Sequence, residues 1–161
     1  MMSPLQQRRI LDLRKVQDLA RKSGGRISIT CVDGNPIHRI GLSIRATTAG
    51  SPAYPRAKVE QIGVEIELPA RFPFQAPGAR VTTQIFHPNI WSHGQICFGT
   101  KWIATEGLDL LVRRIVTIVT FDPLVTNPAS PANAAASEWY QAAVRRHPRA
   151  FPTDRLAEQL R

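Results

Sequence analysis

From Gln61 to Leu68 the chain reads QIGVEIEL, in which Ile62, Val64, Ile66 and Leu68 alternate with Gly63, Glu65 and Glu67. A period of two puts the apolar side chains on one face of an extended segment and the carboxylates on the other. That is a strand with one face buried and one wet, the signature of a half-covered antiparallel sheet. Two segments of similar period precede it, ISITCV from Ile27 and IGLSIRAT from Ile40, and ARVTTQIF from Ala79 follows as a fourth strand. Asp33-Gly34 and Asn35-Pro36 supply turn chemistry between the first two, while GSPAYPRA from Gly50 makes a longer connection to the third.

Helices flank this sheet. Ser3 before Pro4 is a helix start, because the hydroxyl caps orphan amides and proline at the first helical position gives up no needed donor. The helix should run to about Lys22, burying Leu13, Val16 and Ala20 with Leu5 and Ile10 nearby, until Ser23-Gly24-Gly25 ends it. GLDLLVRRIVTIVTFD from Gly107 is apolar on most sides, with Arg113, Thr117 and Thr120 on one polar stripe. Its length and Asp109 in the first turn favour a buried helix, although its β-branched residues also allow a strand. DPLVTNPASP is loop, ANAAASEWYQAAVRR a helix, and TDRLAEQLR another, capped by Thr153 or Asp154. Helix, four strands, an irregular loop and then helices make an α+β domain, here a single domain over residues 1–161.

The net charge of +9 lies almost wholly at the two ends: residues 1–26 carry seven Lys/Arg against two acids, and residues 141–161 carry five against two. Basic ends suit an acidic protein partner as well as a phosphate backbone, but no zinc knuckle or aromatic-basic strand motif supports nucleic acid. No secretory leader is visible and no apolar run approaches the ~18 residues of a membrane span, so a reduced, cytoplasmic protein is expected. Of the two cysteines, Cys31 falls on the first strand, where it reads as a small buried hydrophobe.

Cys97 is different. It stands in FHPNIWSHGQICFG, after a His-Pro-Asn turn and between glycines, with Lys101 four residues on. The segment is compatible with a short buried strand end or with a reachable thiol whose small neighbours leave room for a bulky acyl group. His87, His93 and Cys97 have an incomplete metal-ligand spacing, lacking a second nearby Cys/His pair, so no metal site is expected. The signatures of papain-like and caspase-like cysteine hydrolases are absent.

FPFQAPGARVTTQIFHPNIWSHGQICFG, Phe72 to Gly99, resembles the catalytic heart of the ubiquitin-conjugating enzymes: Pro-Phe-x-x-Pro, a strand, His-Pro-Asn-Ile, then Gly-x-Ile-Cys, with Cys97 eight residues after Asn89. The likeness extends through Trp102 and the helix at Gly107 to FDPLVTNPASPANAAASEWY, so it spans nearly the whole chain. It implies that Cys97 accepts the C-terminal acyl group of a ubiquitin-like protein from an activating enzyme as a thioester and passes it to an amine, most simply that of lysine. By the same resemblance Asn89 is either an oxyanion donor or a brace for the thiol-bearing loop, His87 and Pro88 build the turn, and Ser130 helps to position the acceptor amine. Arg8, Arg9 and Lys15 on the basic first helix would dock an acidic activating enzyme, with Phe74 facing a ligase or other partner. No cofactor and no membrane are implied.

The chain also departs from that pattern. Gly99 stands where many relatives carry an acid, the loop to Trp102 is short, Trp-Ser-Pro-Ala is replaced by WIAT, and LVT is inserted after Pro123. Loss of that proline weakens the expectation of a conventional RING-type ligase, while leaving the thioester chemistry intact. The alanine- and arginine-rich composition hints at a bacterial pathway with its own modifier. Two rival functions are a catalytically inactive binding or scaffold module of the same fold, and a basic nucleic-acid-binding domain indifferent to Cys97.

Overall fold

The computed structural model describes residues 1–161. Helix α1 (Pro4–Lys22) is followed by strands β1 (Ile27–Asp33), β2 (Arg39–Ile44), β3 (Ile62–Glu67) and β4 (Gly78–Val81), then helices α2 (Leu108–Val119), α3 (Ala134–Arg146) and α4 (Leu156–Gln159). The strands form one antiparallel meander in sequence order. In β3 the alternation is realised as read: Ile62, Val64 and Ile66 are buried while Gly63, Glu65 and Glu67 look outward.

α1 begins as expected and adds a reciprocal cap, with Ser3 Oγ accepting from the Gln6 amide and the Gln6 side chain accepting from the Ser3 amide. Its buried stripe is Arg9, Asp12, Val16 and Leu19, which corrects the purely apolar face of the sequence reading. Asp12 is fully buried, accepts from Arg8 Nε at 2.7 Å, and accepts the Leu108 amide at 3.3 Å, so a carboxylate on α1 caps the N-terminus of α2.

Arg9 is also withdrawn from solvent. Its guanidinium donates to the carbonyls of Ile37 at 2.5 Å and Pro69 at 2.7 Å and lies over the Phe72 ring. Arg8 donates to the Ala104 and Glu106 carbonyls. Both arginines, expected to meet a partner, are therefore spent on the fold, because each finds carbonyls that loops leave without partners.

Val16 and Leu19 of α1, the inner face of the sheet, most of α2, and Leu156 and Leu160 at the chain end share one apolar core. A second cluster of Tyr54, Phe121, Tyr140 and Phe151 lies beneath α3. Thr120 is buried rather than on a wet stripe, its hydroxyl donating to the Val116 carbonyl. After it Phe121 takes a φ of +56°, a left-handed conformation usually left to glycine at a helix end. Four aromatic neighbours, His87, Trp139, Tyr140 and Phe151, hold it there.

Two further elements differ from expectation. β4 ends at Val81 instead of continuing to Phe86. The last helix is a single turn, because Asp154 is drawn to Arg26 and the Thr47 amide as well as capping Leu156. Cys31 is exposed, not buried. A bulge between Ile29 and Cys31 shifts the register by one, pairing Cys31 with Gly41 on the outer face.

Candidate active site

The His-Pro-Asn turn is pinned from three sides. Phe86 donates its amide to the Ala49 carbonyl, and the Pro88 carbonyl accepts from Ala132 at 2.8 Å and Asn133 at 3.2 Å, where α3 begins. His87 is fully buried against Phe121, with ring centroids 4.2 Å apart, and its Nδ1 accepts the Asn89 amide at 2.8 Å. That bond places the ring proton on Nε2, which faces the Ile118 carbonyl without forming a well-aligned hydrogen bond. Burial pushes the imidazole pKa down to about 3, so the ring is neutral and its lone pair is occupied. A general base must offer a free lone pair at a reachable site; His87 offers neither.

From Asn89 the chain folds into a short hairpin, in which Ile90 bridges Ile96 and Trp91 accepts from Gly94 at 2.8 Å. Gly94 has a φ of +100°, and a Cβ there would sit 2.4 Å from the Val81 carbonyl oxygen. Ile96 is buried and donates its amide to Ala79 of β4. In extended backbone the next side chain points the other way, so Cys97 faces solvent. Its amide donates to the Asn89 carbonyl at 2.8 Å, tying the thiol-bearing residue directly to the turn.

The Asn89 side chain is nearly buried, with 6% exposed, and reaches across to the loop after α2. Its Nδ2 donates to the Val125 carbonyl at 2.7 Å and its Oδ1 accepts the Asn127 amide at 3.0 Å. Both ends of the carboxamide thus clamp the segment that forms the far wall beside the thiol. Along this segment lies a groove of about 280 Å³ lined by Phe98, Gly99 and Thr100, which follow Cys97 directly, and by Leu124 to Asn127 together with Asn89, with no ionisable side chain among them. Leu124, part of the inserted LVT, is 91% exposed at its rim.

The structure brings Cys97, Asn89, His87 and Pro88 into one unit. Ser130 is exposed on the loop beyond Asn127, which Ser137 of α3 ties down by donating to the Pro128 carbonyl. Lys15 and Phe74 are exposed elsewhere, Phe74 at 72%. Phe74 shares its surface with exposed Ile103, because the Trp102 indole donates to the Pro73 carbonyl at 2.7 Å and joins the two loops. The clamp residues Val125 and Asn127 escaped the sequence reading, since they act through backbone groups that leave no side-chain signature. His87, His93 and Cys97 do not gather into a ligand group.

A helix, an antiparallel meander, further helices after it and an outward cysteine held by a His-Pro-Asn turn define an α+β protein of the ubiquitin-conjugating fold. The sequence model of the ubiquitin-conjugating enzymes matches residues 44–151, and the chain belongs to that family. It is also similar to a Trypanosoma cruzi structure provisionally titled ubiquitin conjugating enzyme, with a TM-score of 0.65 and 18% identity over 94% of this chain and 96% of that one. At that identity the likeness concerns the fold. No helix is long and apolar enough to cross a membrane.

Proposed function

We propose that this chain is a ubiquitin-conjugating-type transferase, carrying a ubiquitin-like protein as a thioester on Cys97. The Cys97 thiolate attacks the carbonyl carbon of the modifier's C-terminal thioester on the activating enzyme, and that enzyme's cysteine leaves as thiolate. An acceptor amine, most simply a lysine, then attacks the same carbon. An amide forms, Cys97 leaves as thiolate, and the amine proton passes to solvent. The observation that supports this most is the placement of Cys97: its side chain is open to solvent while its amide is fixed to the turn, so an acyl group can arrive without the backbone moving.

Asn89 holds the groove wall in this reading. It carries two amide protons, of which one is committed to Val125, and the other can serve the tetrahedral oxyanion. His87 and Pro88 keep the turn in shape. Ser130 positions the incoming amine but has no basicity to remove its proton. With Arg8 and Arg9 committed internally, the surface left for the activating enzyme or a ligase is the exposed side of α1 at Lys15 and the apolar patch of Phe74 and Ile103. Composition alone supports placing it in a bacterial pathway.

The test is a charging reaction with an activating enzyme, ATP and ubiquitin-like protein. Wild type should form an adduct removed by dithiothreitol, and Cys97→Ser an oxyester that resists it. Modifier binding without any adduct would instead identify an inactive scaffold.

A further inference from the structure

The far end of α3 forms a groove with the Pro52–Arg56 segment, about 320 Å³ in volume and lined by no residue of the thiol-bearing loop. Tyr54, Trp139, Ala142 and Ala143 make its floor, and Arg56, Arg146 and His147 line it without any carboxylate. Its walls are fixed: the Trp139 indole donates to the Pro52 carbonyl at 3.1 Å and the Tyr54 hydroxyl to the Ala150 carbonyl at 2.5 Å. Arg145 and Arg149 are near neighbours in sequence of that lining, at the end of α3 and in the turn after it. All four arginines are exposed and take part in none of the ion pairs.

The field of a helix C-terminus accounts for Arg145 and Arg146, which close α3. It does not account for Arg56, on a separate loop, or Arg149, in the turn that follows. Arg56 and Arg146, brought from two elements to one groove without a counter-charge, repel one another, a cost that an anionic ligand relieves. The floor argues for which anion. Trp139 spends its indole N–H on the Pro52 carbonyl and packs against Phe86, Phe121 and Phe151, so it is held as a wall and offers no donor to a base edge. Proline and alanine lips around a half-apolar trough suit side chains alternating between carboxylate and aliphatic.

We infer that this groove docks an acidic, Asp/Glu-rich peptide segment of a protein partner. From Ala134, beside the His-Pro-Asn turn, α3 rises about 18 Å to Arg146, so a partner held on the groove's cationic end leaves the thiol free.

A short fluorescein-labelled peptide of alternating glutamate and leucine tests this on the full chain, with a glutamine-for-glutamate peptide as control. Arg56→Gln with Arg146→Gln should weaken binding about tenfold, whereas Lys22→Gln with Arg45→Gln, equally exposed and equally charged, should change it less than about twofold. The Trp139 indole N–H resonance should move on titration. Neither pair touches a buried group, and unchanged thermal melting will verify that both variants fold. Equal weakening by the two pairs, an unmoved Trp139 signal, or a DNA duplex that displaces the peptide and shows the same arginine dependence would overturn the assignment.

Discussion

Replacing Asn89 by alanine removes both bonds of the clamp, at 2.7 and 3.0 Å, while leaving the backbone bond from Cys97 in place. A hydrogen bond of this kind contributes about 0.5–1.5 kcal/mol net, so the pair is worth about 2 kcal/mol. For a chain of this length each kcal/mol shifts the melting temperature by about 2–4 °C, giving a fall of about 4–8 °C. Thermal melts of Asn89→Ala and wild type should be run beside single-turnover assays of charging and of discharge to free lysine. Charging should persist, because the thiol keeps its anchor. Discharge should slow; loss of an oxyanion donor alone typically costs about 10²–10³ in rate. Asn89→Asp retains an acceptor for the Asn127 amide but removes the Nδ2 donor and sets a carboxylate against the Val125 carbonyl, so its discharge should be at least as slow as that of Asn89→Ala. An unchanged melting temperature for Asn89→Ala would refute the clamp, whatever happened to the rate.

Acid should destabilise the fold through His87. The folded imidazole stays neutral down to about 3, whereas in the unfolded chain it protonates near its ordinary 6.5, so between these values the unfolded state binds the extra proton. Stability from this group is present above about pH 6.5 and declines below it by about 1.4 kcal/mol per pH unit; urea melts at several pH values should show a shallower decline for His87→Asn, which keeps an acceptor without titrating. The two glycines flanking the thiol should respond unequally. Gly94→Ala drives a Cβ against the Val81 carbonyl and should cost more than about 2 kcal/mol, whereas Gly99→Ala, at φ +69° with nothing within 4 Å, should cost about 1 kcal/mol by chemical denaturation.

Much of this architecture was legible because it depends on periodicity. The alternation in β3, the Ser3 cap and the apolar run from Gly107 each express one local rule, and the structure follows them. What escaped detection was set by partners distant in sequence. Nothing near Arg9 in the chain announces the Ile37 and Pro69 carbonyls that draw it inward, and nothing near Asp12 announces the amide of Leu108. Cys31 was misplaced for a subtler reason: one bulged residue reverses the facing of everything after it, and alternation alone cannot reveal a break in its own count. At the candidate site the motif marked Cys97, Asn89 and the turn. The clamp to Val125 and Asn127 needed coordinates.

The outward facing of Cys97 has no dedicated device behind it; it is inherited from Ile96, one position earlier and anchored inside. Hairpin length is therefore under tighter constraint than hairpin composition. Many substitutions at Trp91, Ser92 or His93 would leave the sulfur where it is, yet deleting a single residue there would exchange the fates of the two neighbours, sealing the thiol away and stranding an isoleucine in water. Evolution can repaint the tip of this hairpin freely, provided it never loses count.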